Sequence, residues 1–231
     1  MRRASMNRVF VTGDIHGDVD IRKIKPWKKT VGNLDETDIL IVCGDMGFFW
    51  DNGAYDRYIK KYWEQQPFTT LWIDGNHENF DILSLVPVSE KWGGRVQRCA
   101  QNVYHLCRGE VYNIYNHLFF VFGGAASHDK WHRKEGISWW PQEMPSEYEM
   151  IKGRANLQKV NNEVDFILTH CADDFTQKMI DRSYELDACT NYLREISLIA
   201  SWKKWYIGHY HRDHIMPGNM RLLYQDIIQI I

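Results

Sequence analysis

Arg8-Val9-Phe10-Val11-Thr12-Gly13-Asp14-Ile15-His16-Gly17 is a short apolar run that stops at a carboxylate and an imidazole. The pattern recurs four times. Asp38 to Cys43 runs into Gly44-Asp45, Thr70 to Asp74 into Gly75-Asn76-His77-Glu78, Asp165 to Thr169 into His170, and Lys204 to Ile207 into Gly208-His209-Tyr210-His211. Runs this short and this rich in Val, Ile and Leu predict strands covered on both faces, as in a parallel sheet. Between the first three lie Val19 to Val31 and Ala54 to Gln66, whose Lys, Glu, Tyr and Trp at helical spacing predict amphipathic helices. Pro26 predicts a break or a second start in the former. Alternating strand and helix in this order builds a parallel sheet whose functional groups gather at the carboxyl ends of its strands.

The middle of the chain changes character. Arg95 to Ala100, Val103 to Leu106, Glu110 to Tyr115 and Leu118 to Gly123 are short, closely spaced and split by turn residues, which predicts antiparallel hairpins and a second sheet. Met144 to Val160 and Ala188 to Trp202 read as helices, and Arg221 to Ile231 as one or two final strands. Residues 123–145, holding Ser127, His128, Asp129 and Trp139-Trp140, predict a long loop over one end of the sheets, a candidate lid. No repeat or Pro/Gly/Ser linker interrupts the chain, and 231 residues at 44% hydrophobic predict one domain over 1–231.

Composition narrows the function classes. A net charge of −2 provides no basic field for gripping a long nucleic acid by its phosphates, so tight binding of that kind is not expected. The cysteines, Cys43, Cys99, Cys107, Cys171 and Cys189, are odd in number and widely spaced, which points to a reducing cytoplasm. Met1 to Met6 is basic, but Val9-Phe10-Val11 after it is too short for a signal peptide, and no membrane contact is expected.

The residues that close the five runs form a metal-ligand set. Asp14 and His16 lie two apart at a strand exit and point to one side, where oxygen and nitrogen can meet on one ion. Asp45 leaves the next strand, and with both carboxylate oxygens available it can bridge two cations about 3.5–4 Å apart. Asn76 offers an amide oxygen, and His170, His209 and His211 bring imidazoles from far along the chain. The set predicts two divalent ions. Carboxylate, amide and imidazole without thiolate suits manganese, iron or zinc.

In order and approximate spacing, Gly13-Asp14-Ile15-His16-Gly17, Gly44-Asp45, Gly75-Asn76-His77-Glu78, His170 and Gly208-His209-Tyr210-His211 resemble the calcineurin-like metallophosphoesterases, from about residue 8 to residue 215. The resemblance implies an α/β fold of four layers, two mixed β-sheets face to face with helices outside. It also implies a division of ligands: Asp14, His16, Asp45 and His211 on one metal, and Asp45, Asn76, His170 and His209 on the other, with His77 as a catalytic acid that holds neither. Hydrolysis of a phosphate ester would follow, with a hydroxide between the ions as nucleophile and His77 protonating the leaving alcohol, while Glu78 orients His77 or fixes the loop.

Departures from that family's protein phosphatases bear on substrate. Their second motif continues Gly-Asp-x-Val-Asp-Arg-Gly and an Arg precedes Gly-Asn-His-Glu, whereas this chain reads Gly44-Asp45-Met46-Gly47-Phe48-Phe49-Trp50 and has Asp74 before Gly75. Without those arginines a singly charged diester is better served than a dianionic monoester, although Lys130, His132 and Arg133 are available as replacement charge. A phosphomonoesterase or protein phosphatase is the alternative, and a non-catalytic interaction module a second. The partner expected is a small phosphoester, with nucleotides among the candidates. Phe48, Phe49, Trp50, Trp139 and Trp140 either stack a base or anchor loops. His128 and His214 are near enough to such loops to touch substrate, and the biological process and oligomeric state are left open.

Overall fold

Along β1 (Val9–Thr12) successive side chains part company, Val9 and Val11 entering one core and Phe10 another. The computed structural model describes residues 7–231, and the basic opening Met1 to Met6 lies outside the described residues. After β1 come α1 (Ile24–Val31), β2 (Ile39–Val42), α2 (Ala54–Glu64), β3 (Thr69–Trp72), α3 (Phe80–Ser84), β4 (Val88–Lys91), β5 (Gly94–Ala100) and β6 (Val103–Leu106). The second half holds β7 (Glu110–Ile114), β8 (His117–Phe122), α4 (Glu147–Lys159), β9 (Glu163–Thr169), α5 (Asp174–Ile180), α6 (Ala188–Ile199), β10 (Ser201–Ile207), β11 (His214–Met216), β12 (Met220–Leu222) and β13 (Ile227–Gln229).

Two sheets form, ordered β13-β1-β2-β3-β6-β5-β4 and β11-β12-β10-β9-β8-β7. Each has a parallel centre, β1, β2, β3 and β6 in one and β8, β9, β10 and β12 in the other, with antiparallel strands at its margins. The period of two along the strands explains why four layers result. Val9, Val11, Ile39, Ile41 and Leu71 meet Phe119, Val121, Phe166, Leu168 and Tyr206 between the sheets. Their neighbours Phe10, Leu40, Val42 and Trp72 turn outward onto Ile24 and Trp27 of α1, Ile59 and Trp63 of α2 and Leu83 of α3. On the far side Phe120, Phe122, Ile167, Trp205 and Ile207 pack on Leu157 of α4 and on Cys189, Tyr192, Leu193 and Ile196 of α6. Trp63, Trp72 and Trp205 are fully buried, and each such large side chain contributes upwards of about 2 kcal/mol. The expected sandwich with helices outside is this architecture.

The expected second sheet is also present, with a different membership. Of the four middle strands, β5 and β6 join the first sheet and β7 and β8 the second, the change falling at Arg108-Gly109. Hairpin spacing records which strands are close in sequence, not which sheet they complete. The stretch Val19 to Val31 makes its second start: a 3-10 turn at Ile21–Lys23 precedes α1, and Pro26 sits in the first helical turn, where backbone N–H groups have no helical partner. The helix expected from Met144 begins at Glu147, its N-terminus closed by the Ser146–Glu149 capping box, and the helix expected to reach Trp202 stops at Ile199 because Ser201 and Trp202 pair with Glu163 and Val164. Residues 123–146 hold two 3-10 turns and no longer element. Among the described residues no helix is long and apolar enough to cross a membrane.

Candidate metal centre

Every parallel strand that ends at a motif ends at the same edge. Asp14 and His16 follow β1, Asp45 follows β2, Asn76 and His77 follow β3, His170 follows β9, and His209 and His211 follow β10. The loops are stitched together by backbone, with Ile15 and His16 donating N–H groups to the Asp45 carbonyl at 3.0 and 2.8 Å. Two glycines permit side chains to approach. A Cβ on Gly44 would strike the His170 ring, and one on Gly75 would strike the Asp45 carboxylate. His16, Asp45, His209 and His211 themselves adopt φ of +46, +49, +68 and +48°, a left-handed backbone that side chains rarely take and that concentrates at functional sites.

Both carboxylates are buried and built alike. Asp14 Oδ1 accepts from the His209 N–H at 2.9 Å and Asp45 Oδ1 from the His77 N–H at 2.8 Å. The other oxygen of each faces imidazoles. Asp14 Oδ2 lies 3.0 Å from His211 Nε2 yet has no hydrogen-bond partner, and Asp45 Oδ2 lies 3.3 Å from both His16 Nε2 and His170 Nε2. Lone pairs that face one another at this range mark donors converging on a third atom. Asp45 thus reaches both halves of the site through Oδ2 alone, whereas the sequence reading expected both of its oxygens to be available.

Hydrogen bonds fix which nitrogen each imidazole presents. His170 Nδ1–H donates to the Cys43 carbonyl at 2.8 Å, and His16 Nδ1–H to Asp20 Oδ2 at 2.9 Å, leaving both Nε2 lone pairs facing inward. The Asn76 amide is oriented too. Its Nδ2 donates to Ser127 Oγ at 3.1 Å, the Ser127 hydroxyl donates to Glu143 Oε2 at 2.6 Å, and Asn76 Oδ1 is left 3.1 Å from His170 Nε2.

Three groups of donors lie close enough to hold an ion: Asp14, His16 and His211; Asp14, Asp45 and His170; and His16, Asp45 and His77. Among the described residues the His209 imidazole joins none of these groups, although its ring stands 5.0 Å from that of His170 and its N–H holds Asp14. Electrostatics agrees with a missing positive charge. Burial works to lower His16 and His170, but Asp45 first and then Asp14 push them up to about 9 and about 10. Burial works to raise the two carboxylates, and the imidazoles nonetheless hold Asp14 below and Asp45 well below the usual carboxylate range. Burial and the charge on His170 push His209 down to about 3. Protons on His16 and His170 stand where divalent cations would satisfy the same carboxylates. The orphaned Asp14 Oδ2, the inward lone pairs and the oxygen-and-imidazole donor set fit two such ions.

His77 stands at the lip of the site, its ring 5.5 Å from that of His16. The Arg133 guanidinium lies against both its nitrogens, 2.9 Å from Nδ1 and 3.1 Å from Nε2, and is held by Asp129 at 2.7 Å. Burial lowers the His77 imidazole, opposed by Asp45 and reinforced by Arg133. Of the three residues weighed as replacement charge, Arg133 lies at His77, while Lys130 and His132 are exposed. A cavity of about 310 Å³ opens here, lined by His16, Gly47, Trp50, Tyr55 and His77. Of the aromatic residues weighed for stacking, Trp50 lines that cavity, Phe48 is core, Phe49 packs edge-on against Phe48, and Trp140 is a buried anchor donating to Asp81 at 2.8 Å. Trp139 is half-buried. His128 stacks on the His209 ring at 5.6 Å, and His214 is exposed on β11. Glu78 fixes the loop, accepting from the Met46 N–H at 2.8 Å, and burial raises its carboxyl well above the usual range.

Asp20, Ser127, Glu143 and Arg108 are the supporting residues that the sequence reading did not assign. Asp20 had a signal, four residues after His16 on one turn of chain. Arg108 had none: it reaches across 34 residues to Asp74 at 2.5 Å, and His105 adds a second contact at 3.1 Å.

Over 204 residues the chain is 23% identical to a probable cyclic nucleotide phosphodiesterase of Fibrobacter succinogenes, a match that takes in 85% of this chain and 66%, just under two thirds, of that protein. The model of the calcineurin-like phosphoesterase family matches residues 7–213, every motif residue included, and the chain belongs to that family.

Proposed function

We propose that the chain is a two-metal phosphoesterase that hydrolyses small phosphodiesters. The observation that carries the reading is Asp45 Oδ2 facing the inward lone pairs of His16 and His170 at equal distance, one oxygen shared between two donor groups. Asp14, His16, Asp45 and His211 would hold one ion, and Asp45, Asn76, His170 and His209 the other. When bound, the ions supply Lewis acidity toward phosphate oxygens and activation of the attacking water.

The chain's own groups do the rest. His77, at the lip, gives a proton to the departing alkoxide; its lowered pKa makes it a stronger acid, held in smaller supply. Protonation takes away the lone pair to which Arg133 donates, so the guanidinium turns to the phosphate. Arg133 is the guanidinium against His77 among the described residues, and a single guanidinium suits a monoanionic diester. Trp50 and Tyr55 give the opening an aromatic wall, and stacking a nucleobase there is worth about 1–3 kcal/mol.

The test compares bis(p-nitrophenyl) phosphate with p-nitrophenyl phosphate in manganese, followed by cyclic nucleotides and dinucleotides, with Asp45→Asn as control. Diester turnover that disappears in Asp45→Asn is expected. Faster monoester turnover would overturn the diester reading, and a His77→Ala protein at full rate on an ester with a poor leaving group would remove the acid.

A further inference from the structure

Beyond residue 213, where the family match ends, the chain returns to the site. Asp213 accepts three consecutive backbone N–H groups, from Tyr224 and Asp226 through Oδ1 at 2.8 and 3.0 Å and from Gln225 through Oδ2 at 3.0 Å. Lys23, itself buried, donates to the carbonyls of Gly13, Asp14 and Tyr224 and so ties that turn to the Asp14 loop. The turn delivers one side chain to the metal centre. The Tyr224 ring stacks on the His211 ring at 4.7 Å and 10°, and its hydroxyl donates to Asp20 Oδ1 at 2.9 Å. Asp20 spends its other oxygen on His16 Nδ1. The two rings Tyr224 reaches, His211 directly and His16 through Asp20, stand edge to face 5.0 Å apart and share one donor group with Asp14.

We infer that Tyr224 is a positioning residue for one of the two metals, the one held by Asp14, His16 and His211, and that the C-terminal turn is a working wall of the site. The inference rests on the two-metal reading above. His170 is oriented by a backbone carbonyl inside the core, but the His211 side chain is 51% exposed, and Tyr224 covers one face of its ring. Loss of an outer partner of a ligand imidazole lowers metal affinity about 10–100-fold. Because Tyr224 reaches His211 and, through Asp20, His16, and makes no contact of this kind with His170, the loss falls mainly on one ion of the pair.

The experiment titrates the metal-free full chain with Mn²⁺, counting bound metal by elemental analysis and following the coupled two-manganese signal by electron paramagnetic resonance. Tyr224→Phe keeps the stack and loses the bond to Asp20, and Tyr224→Leu loses both. We expect one equivalent to weaken about tenfold in Tyr224→Phe and toward a hundredfold in Tyr224→Leu, the other equivalent unchanged and the coupled signal replaced by that of a single ion. Variants that bind two equivalents as the wild type does would overturn the inference alone. So would equal weakening of both equivalents with a fall in melting temperature, the mark of a merely structural role. A wild-type chain that takes up no manganese overturns the metal centre itself, and this inference with it.

Discussion

Replacing Arg108 by Met removes a charge and keeps most of the shape; it takes away the bonds to Asp74 and those to the Gln142 and Glu143 carbonyls together, and the pH dependence separates the part due to Asp74. Asp74 is 2% exposed and precedes Gly75-Asn76, so its carboxylate anchors the loop that carries a candidate ligand. In the native chain burial alone would raise that carboxyl, but Arg108 first and His105 after it hold it well below the usual range. Breaking a buried pair from one side costs about 3–5 kcal/mol, because an uncompensated charge stays behind. Here the pair borders a cavity of about 640 Å³ through which water can reach Asp74, so the low end, about 3 kcal/mol at pH 7.5, is expected. The sign with pH follows from the shifts. In the native chain the depressed carboxyl contributes stability that is present above the unfolded pKa of about 3.9 and lost as pH falls through the folded value. In Arg108→Met, burial is less opposed and the folded value rises above about 3.9, so the variant recovers stability as Asp74 takes up a proton. The gap between the two proteins is therefore widest at neutral pH and narrows toward pH 4.5. Urea unfolding at both pH values measures it. A gap under about 1 kcal/mol, or one that is equal at both pH values, would refute the reasoning.

Two predictions concern the site. Ser127→Ala removes the acceptor that orients the Asn76 amide and the donor that Glu143 uses, and it should lower Mn²⁺ affinity about 10–100-fold; the variant should lose metal to a chelator that leaves the wild type loaded. Unchanged metal retention would show that the amide is oriented without it. Arg133→Ala removes the guanidinium that lies against His77, and loss of a charge-assisted contact of about 1.5–3 kcal/mol should lower kcat/KM on a diester about 10–100-fold, with metal content unchanged. An equal kcat/KM would take Arg133 out of substrate binding.

How much of this was legible in the sequence depends on range. β1, β2 and β3, and the buried C-terminal halves of β9 and β10, could be read because a segment buried on both faces has to be apolar, and the residues that end it have to be polar to serve as ligands. Asp14, His16, Asp45, Asn76, His170 and His211 declared themselves by that contrast. His209 did so as well, but residue type could not show that its backbone N–H also holds Asp14 while its ring stands 5.0 Å from that of His170. The sheet membership of β5 to β8 was not legible, because hairpins of the same spacing complete either sheet. Nor were the supports. Ser127 with Glu143, Arg108 with Asp74 and Tyr224 with Asp20 act across 16, 34 and 204 residues, and each looks like an ordinary polar residue until the fold closes the distance.

Backbone strain joins these observations. His16, Asp45, His209 and His211 sit at positive φ, and such positions cost on the order of 1–3 kcal/mol each, His and Asp tending to the low end because short polar side chains tolerate the left-handed region. The hydrogen bonds from Ile15, His16, His77 and His209 N–H groups to Asp45 and Asp14 offset part of that cost. The remainder sits in loops whose buried carboxylates are balanced, without metal, by protonated imidazoles. A ligand that binds the folded chain alone at a thousandfold its dissociation constant adds about 4 kcal/mol, enough to cover several strained residues. Metal binding and loop geometry are then one equilibrium. On the two-metal reading, the left-handed conformations of His16, Asp45, His209 and His211 would be held in part by the ions they gather, and a change that relaxes one of these loops would be felt as lost metal before it is felt as lost fold.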